Sequence, residues 1–261
     1  MTRVGLFDSG AGGLTVANAL ASTKAAFDVL ADQAHVPYGG RPLSEVEGFA
    51  LAQTRFLRAR GAELVVMACN ISSATALHHA RHEHGHDRVY GMVEDGARAA
   101  VEIRQRGPIG VAATEGTVAS GAYVRAVEEL DDVDVIQCAC PAFVPLVERG
   151  ETEGGAAERA VREALAPLKA AGCSTLILGC THYPLLASAI HATWPEVRLV
   201  DPALALATRL ARRLRPSDAA HRAWTTGDPG WFGGQIERWS PWLGRPRVRT
   251  ATWTEHGALQ S

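Results

Sequence analysis

The sequence predicts an α/β protein: two similar doubly wound domains with mainly parallel sheets, related by a pseudo-twofold and facing each other across a cleft. Three observations point there. Short apolar runs alternate with amphipathic stretches, the βαβα rhythm of a parallel sheet flanked by helices. The rhythm restarts near Pro108. In each half the first strand ends in a small, hydroxyl-rich turn, and a later strand ends in a cysteine followed by polar residues. Ligands of open parallel sheets bind beyond the carboxyl ends of the strands, so such a cleft would carry one cysteine on each wall.

The elements follow in order. Val4–Phe7 is a strand running into Asp8-Ser9-Gly10-Ala11-Gly12-Gly13, and a helix is expected from Leu14 to Ala21. Ala26–Ala31 is the next strand, before a turn-rich loop from Asp32 to Pro42. Ser44 with Glu47 three positions later reads as a capping box, opening a helix to about Arg60. Leu64–Ala68 is a buried strand ending at Cys69, and Arg88–Met92 is another strand. In the second half, Pro108–Ala112 runs into Ala113-Thr114-Glu115-Gly116-Thr117 and a helix to about Leu130. Val133–Gln137 is a strand, Glu158 to Ala171 a helix, and Thr175–Leu178 a strand ending at Gly179-Cys180. A helix from Leu204 to Leu214 and the turn Thr225-Thr226-Gly227-Asp228-Pro229 lead into a tail expected to return to the first domain as closing strand and helix. The domains are then 1–96 plus 207–261, and 97–206. Asp8 and Cys69 are 61 positions apart, Thr114 and Cys180 66. An internal duplication explains the match; so does the spacing common to any doubly wound chain.

Composition narrows the chemistry. The 261 residues are 47% hydrophobic and 21% charged, with net charge −2, which argues against a dominant basic field for nucleic acid. No run approaches the roughly 18–20 apolar residues of a membrane span, and Met1–Asp8 lacks the apolar stretch of a signal peptide, so a cytoplasmic location is expected. Five cysteines (Cys69, Cys138, Cys140, Cys173 and Cys180) are an odd count, which argues against a disulfide framework and leaves room for working thiols. The two lysines, Lys24 and Lys169, fall in stretches that read as exposed, which disfavours Schiff-base chemistry such as that of pyridoxal phosphate.

Cys69, followed by Asn70, Ser72 and Ser73, and Cys180, followed by Thr181 and His182, stand at matched strand ends. A helix N-terminus expected next, after Thr181 and His182, would favour thiolate over thiol. A free thiol has pKa about 8.5, so modest stabilisation makes it a competent base near neutrality. Asp8 and His182 are the obvious proton-handling partners; the plainer readings are a turn residue and a hydrogen-bonded neutral imidazole. Gly10-Ala11-Gly12 begins a dinucleotide fingerprint, with Asp28 or Asp32 as the ribose acid, but its third glycine would fall at Thr15. His82-Glu83-His84-Gly85-His86 fits H-E-x-x-H, yet Gly85 interrupts the helix that motif needs, and with His78 and His79 it reads as a solvated histidine-rich helix end. Cys138-Ala139-Cys140 has no second cysteine pair to complete a zinc site and reads as strand-end packing. No metal site is expected.

Asp8-Ser9-Gly10, Pro37-Tyr38-Gly39, Cys69-Asn70 and Gly179-Cys180-Thr181-His182-Tyr183-Pro184 together resemble the glutamate racemases of the cofactor-independent aspartate/glutamate racemase family. The likeness runs nearly end to end and includes Ala113 to Thr117, Pro145-Leu146-Val147-Glu148 and Gly227-Asp228-Pro229. It implies interconversion of L- and D-glutamate without a cofactor, supplying D-glutamate for peptidoglycan, by a homodimer whose active site lies in the cleft. One thiolate would take the α-proton from one face while the opposite thiol delivers a proton to the other. By that resemblance Cys69 and Cys180 are the acid/bases, Asp8 assists Cys69, His182 assists Cys180, and Glu148 is the carboxylate near that histidine. Asp8, Ser9, Tyr38, Gly39, Asn70, Thr114, Thr117, Thr181 and His182 would hold the substrate. The chain departs from the family's Cys-Asn-Thr at Ile71, and lesser departures are Ala31 and Asp95. If the missing hydroxyl held a carboxylate, its loss costs roughly 1–3 kcal/mol unless Ser72 or Ser73 compensates. Ile71 motivates two alternatives: a racemase for another acid such as aspartate, and a catalytically weak binding or regulatory homologue.

Overall fold

The computed structural model describes residues 1–261. The chain forms two compact units, Met1–Met92 with Leu206–Ser261, and Val93–Ala205.

The first unit contains β1 (Arg3–Asp8), α1 (Gly13–Leu20), β2 (Ala26–Ala31), α2 (Leu43–Ala59), β3 (Leu64–Met67), α3 (Asn70–His84) and β4 (Val89–Gly91). The second contains α4 (Val93–Ile103), β5 (Ile109–Ala113), α5 (Glu115–Ser120), α6 (Ala122–Glu128), β6 (Val135–Ala139), α7 (Phe143–Arg149), α8 (Gly154–Ala170), β7 (Thr175–Gly179), α9 (Ala187–Thr193) and β8 (Arg198–Val200). The chain returns to the first unit within α10 (Pro202–Leu210), then adds β9 (Arg222–Thr225), α11 (Pro229–Trp239), β10 (Val248–Thr250) and the short strands β11 (Thr252–Trp253) and β12 (Leu259–Gln260).

The large sheet runs β10-β9-β2-β1-β3-β4, all parallel; β11 and β12 form a separate antiparallel pair. The second unit's sheet, β6-β5-β7-β8, is also all parallel. Helices cover the faces of such sheets, so their strands read as continuous apolar runs rather than alternations. Every residue of β2, β3, β5 and β7 is buried accordingly. In the first unit one core cluster packs Phe7, Phe56, Met67 and Trp224 together. Asp28, buried in β2, is clasped by the guanidinium groups of Arg3 and Arg222, a structural role that removes it as a ribose acid.

Most elements lie within one to four residues of expectation, and β9 pairs with β2 as the expected closing strand. Two differ for physical reasons. The helix expected to run to Leu130 is two helices, broken at Gly121, whose φ of +63° lies in the left-handed region. The capping box is absent. Pro42 is the N-cap of α2 and its carbonyl accepts from Glu45 and Val46, so Ser44 lies inside the first turn. Proline has no N–H to donate the reciprocal bond, and Glu47 instead meets His79 on α3. As expected, Gly85 interrupts the histidine-rich stretch: α3 ends there with φ +97°, which leaves His86 off the helix that carries His82. No cluster of three or more metal-ligating side chains forms, and no helix is long and apolar enough to cross a membrane.

Candidate active site

The two sheets share one order around their first strand: β2-β1-β3-β4 and β6-β5-β7-β8. Each cysteine follows the strand beside the central one. The β1–β3 register pairs Phe7 with Met67, and two steps further it sets Ser9 level with Cys69. The β5–β7 register pairs Ala113 with Gly179, and one step further it sets Thr114 level with Cys180. The partner of Thr114 in the repeat is therefore Ser9, one position beyond the expected Asp8. Each thiol has a hydroxyl residue on the neighbouring strand end.

In the first unit, Cys69 is the N-cap of the fifteen-residue α3, with extended backbone (φ −65°, ψ 124°). The free N–H groups and positive end of that helix favour a thiolate there. Its Sγ lies 3.9 Å from Ser9 Oγ. Asp8 is buried at the end of β1, and Asn70 is buried in the first turn of α3. Ser73 Oγ reaches the carbonyls of Met67 (2.8 Å) and Cys69 (3.1 Å) and accepts from Met92 N (3.0 Å). Its hydrogen bonds thus belong to the scaffold. Ile71 packs with Tyr38, Val46 and Cys69 in an apolar cluster, so its alkyl group forms part of the wall behind the thiol.

In the second unit, Cys180 follows β7, and residues 183–186 form a 3₁₀ turn before α9 begins at Ala187. The helix N-terminus expected after Thr181 and His182 is absent; Pro184 opens the tighter turn instead. What Cys180 has is His182. The imidazole Nδ1 lies 3.9 Å from Cys180 Sγ and 3.5 Å from Thr181 Oγ1, and Nε2 lies 3.5 Å from Glu148 Oε1 on α7. The hydrogen bond from His182, ahead of its charge, holds the Glu148 carboxyl below its ordinary range. Thr114 and Thr117 hydroxyls are 3.0 Å apart at the start of α5. Gly179 is required by close approach: a Cβ there would fall 2.8 Å from Ala113 Cβ and 3.1 Å from Ala112 O.

A family model described as Asp/Glu/Hydantoin racemase matches residues 16–210. The glutamate racemase of Desulforudis audaxviator is 45% identical over 240 residues, 89% of this chain and 84% of that protein. The crystal structure of glutamate racemase isoform RacE1 from Bacillus anthracis superposes with TM-score 0.86 at 34% identity, covering 95% of this chain and 97% of that one. Glutamate racemase from Thermus thermophilus, solved with β-chloro-D-alanine, gives 0.84 at 38% identity over 98% of each chain. The chain belongs to the Asp/Glu/Hydantoin racemase family.

In this racemase-family chain the expected site residues gather in two local groups. Ser9, Cys69 and Tyr38 lie together with Asp8 and Asn70 at the carboxyl edge of the first sheet. Cys180, Thr181, His182 and Glu148 form the second group, and Thr114 and Thr117 stand at the neighbouring strand end. Tyr38 is placed differently from a simple substrate ligand. Its hydroxyl donates to Asp32 Oδ2 (2.6 Å) and accepts from Gln53 Nε2 (2.9 Å); Gly39 follows it in the same 3₁₀ turn. Burial, then the charge of Asp32, pushes the Tyr38 phenol well above its ordinary pKa, so it stays a neutral donor. Asp32 itself was expected only as loop or ribose acid. Its partners Thr226 and Trp253 lie 194 and 221 positions away, beyond any local sequence signal. Cys140, near Cys180, is a buried thiol that desolvation pushes upward. Lys24 and Lys169 are exposed and take no part in either group.

Proposed function

We propose that the protein is a glutamate racemase, interconverting L- and D-glutamate without a cofactor and supplying D-glutamate for peptidoglycan. The observation that carries this reading is the 45% identity to a curated glutamate racemase over 89% of the chain. In this reading Cys69 and Cys180 are applied to opposite faces of one α-carbon. A thiolate takes the α-proton: the C–H bond breaks, an S–H bond forms, and the electron pair is left on the α-carbon and its carboxylate. The opposite thiol then gives its proton to the other face and becomes the thiolate, so the next turnover runs the other way. Asp8 assists at Cys69, and His182, oriented by Glu148, assists at Cys180.

Ser9, Gly39, Asn70, Thr114, Thr117 and Thr181, with Asp8 and His182, hold the carboxylates and ammonium, as neutral donors must in a site with few cations. Tyr38 contributes through its ring, since its hydroxyl serves Asp32. The active form is taken to be a cytoplasmic homodimer with domains at 1–96 plus 207–261 and 97–206.

Circular dichroism of D- and L-glutamate incubated with the protein, without added cofactor, is the test. Loss of optical activity from either enantiomer is expected. Inversion of aspartate but not glutamate would overturn the substrate. Absence of solvent-deuterium exchange at the α-carbon of both glutamate enantiomers, in folded protein, would overturn racemisation.

A further inference from the structure

A densely bonded buried group on the Cys69 side is one the two-thiol scheme does not use. Asp32 follows β2, fully buried, and its backbone N–H donates to Asp8 O at 3.0 Å. Its carboxylate receives four side-chain donors, which fills the lone-pair capacity of the group. Oδ1 accepts from Thr226 Oγ1 (2.7 Å) and Trp253 Nε1 (2.9 Å). Oδ2 accepts from Tyr38 OH (2.6 Å) and faces His35 Nδ1 (2.9 Å), which makes Nδ1 the protonated nitrogen of that ring.

The two oxygens hold different parts of the fold. The Oδ1 arm ties down the exit of β9 and the short terminal strands β11 and β12. The Oδ2 arm holds the loop between β2 and α2, which carries Tyr38 and Gly39. Gln53, buried on α2, locks the far side of the Tyr38 hydroxyl. The Tyr38 ring then lies in the cluster with Val46, Ile71 and Cys69. His35 stacks on Phe49 (centroids 3.9 Å apart, planes 14°), and Phe49 in turn meets Tyr38 and Trp253.

A buried carboxylate keeps its place only if its bonds are complete, and a complete set fixes its donors as firmly as it is itself fixed. We infer that Asp32 is a positioning residue for the glutamate-racemising site: through Oδ2 it holds the Tyr38 ring as the wall that confines the Cys69 thiol. This rests on the reading of Cys69 as an acid/base. Asp32 touches no reacting atom. A thiol serving as base must meet the α-carbon in a narrow geometry, and misplacement by about 1 Å can cost about 10²-fold in rate.

Three variants separate the arms. Asp32→Asn replaces an acceptor by an amide whose NH₂ would confront two donors. Tyr38→Phe keeps the ring and removes the hydroxyl that ties it to Asp32 and Gln53. Trp253→Phe removes one of the two donors to Oδ1, leaves the Thr226 bond, and keeps an aromatic ring against His35 and Phe49. All three are compared with the wild type for kcat and KM with glutamate, for the rate at which iodoacetamide alkylates Cys69 (read by peptide mass), and for folding by circular dichroism and Tm. The expected result is a fall in kcat of at least tenfold in Asp32→Asn and at least threefold in Tyr38→Phe, with Cys69 alkylated at least threefold faster in both. Trp253→Phe should lower Tm while kcat and alkylation stay within twofold of wild type. Should Asp32→Asn fail to fold, Tyr38→Phe and Trp253→Phe decide the matter alone. Equal kinetic effects in those two, or Tyr38→Phe indistinguishable from wild type in alkylation, would overturn the inference. A wild type inactive on glutamate would overturn the proposed function instead, and the alkylation rates would still test Asp32.

Discussion

Ser72 and Ser73 are adjacent on α3, both buried, and face opposite circumstances. Ser73 bonds three backbone groups, while Ser72 Oγ has no hydrogen-bond partner. Removing Ser73 strands the buried Met92 N–H, so Ser73→Ala should lower unfolding free energy by about 1–3 kcal/mol. Ser72→Ala discards an unsatisfied hydroxyl and improves helix propensity, so it should be neutral or stabilising, within about 1 kcal/mol. Urea unfolding of the pair checks both, and equal losses would contradict the bonding pattern. The same contrast answers the Ile71 departure: Ser73 cannot replace a missing substrate hydroxyl without abandoning the backbone it holds. Glu148 gives the pH-dependent residue. Its carboxyl is held low by the hydrogen bond from His182, then by that ring's charge. A depressed carboxylate contributes stability that is present above its unfolded pKa and is lost as pH falls through the folded value. Glu148 is half-exposed, so global stability should move little. Its titration midpoint, followed by NMR, should rise in His182→Ala; an unchanged midpoint would remove His182 as the cause.

At the scale of elements, the apolar strands were legible because burial on both faces demands uninterrupted hydrophobic runs, and Ala26–Ala31 is recovered to the residue. The start of α2 was not. Ser44 and Glu47 match the capping pattern, yet the chain enters the helix from Pro42, and only the backbone path decides that. Likewise nothing local distinguishes the entry to α3 at Cys69 from the 3₁₀ turn after Cys180, until Pro184 is seen beside Tyr183, whose hydroxyl bonds Cys140 O at 2.8 Å. The junction of β7 and Cys180 tests how tightly an element positions a thiol. Gly179→Ala would press a methyl group against Ala113 Cβ and the Ala112 carbonyl, neither of which can rotate away. Overpacking of this kind costs about 1–3 kcal/mol and is relieved by shifting the strand end. The variant should therefore lose both Tm and at least tenfold in racemase activity, with Cys180 displaced. A variant with wild-type kcat and lowered Tm would mean that the strand absorbs the strain before it reaches the thiol.

At the scale of the molecule, the repeat was legible as two cysteines at similar spacing, but its register was not. Ser9, not Asp8, stands level with Cys69 as Thr114 does with Cys180, a correspondence only strand pairing reveals. The repeat is also chemically unequal: one thiol caps a long helix, the other has an imidazole braced by a carboxylate. The two enantiomers of glutamate are equal in free energy, so kcat/KM must nevertheless be the same in both directions. The inequality has to be sought in half-reactions. If each thiol serves one face, a variant with one thiol left can still take a proton from the enantiomer presented to it, exchange it with solvent and return it to the same face. Cys69→Ala and Cys180→Ala should therefore both lose inversion, yet in D₂O each should place α-deuterium into one glutamate enantiomer without inverting it, and the two variants should choose opposite enantiomers. Mass spectrometry after chiral separation reads this directly. Deuterium entering the same enantiomer in both variants would mean that the two thiols reach the same face, and the chemical correspondence between the two halves would fail even though their strand order agrees.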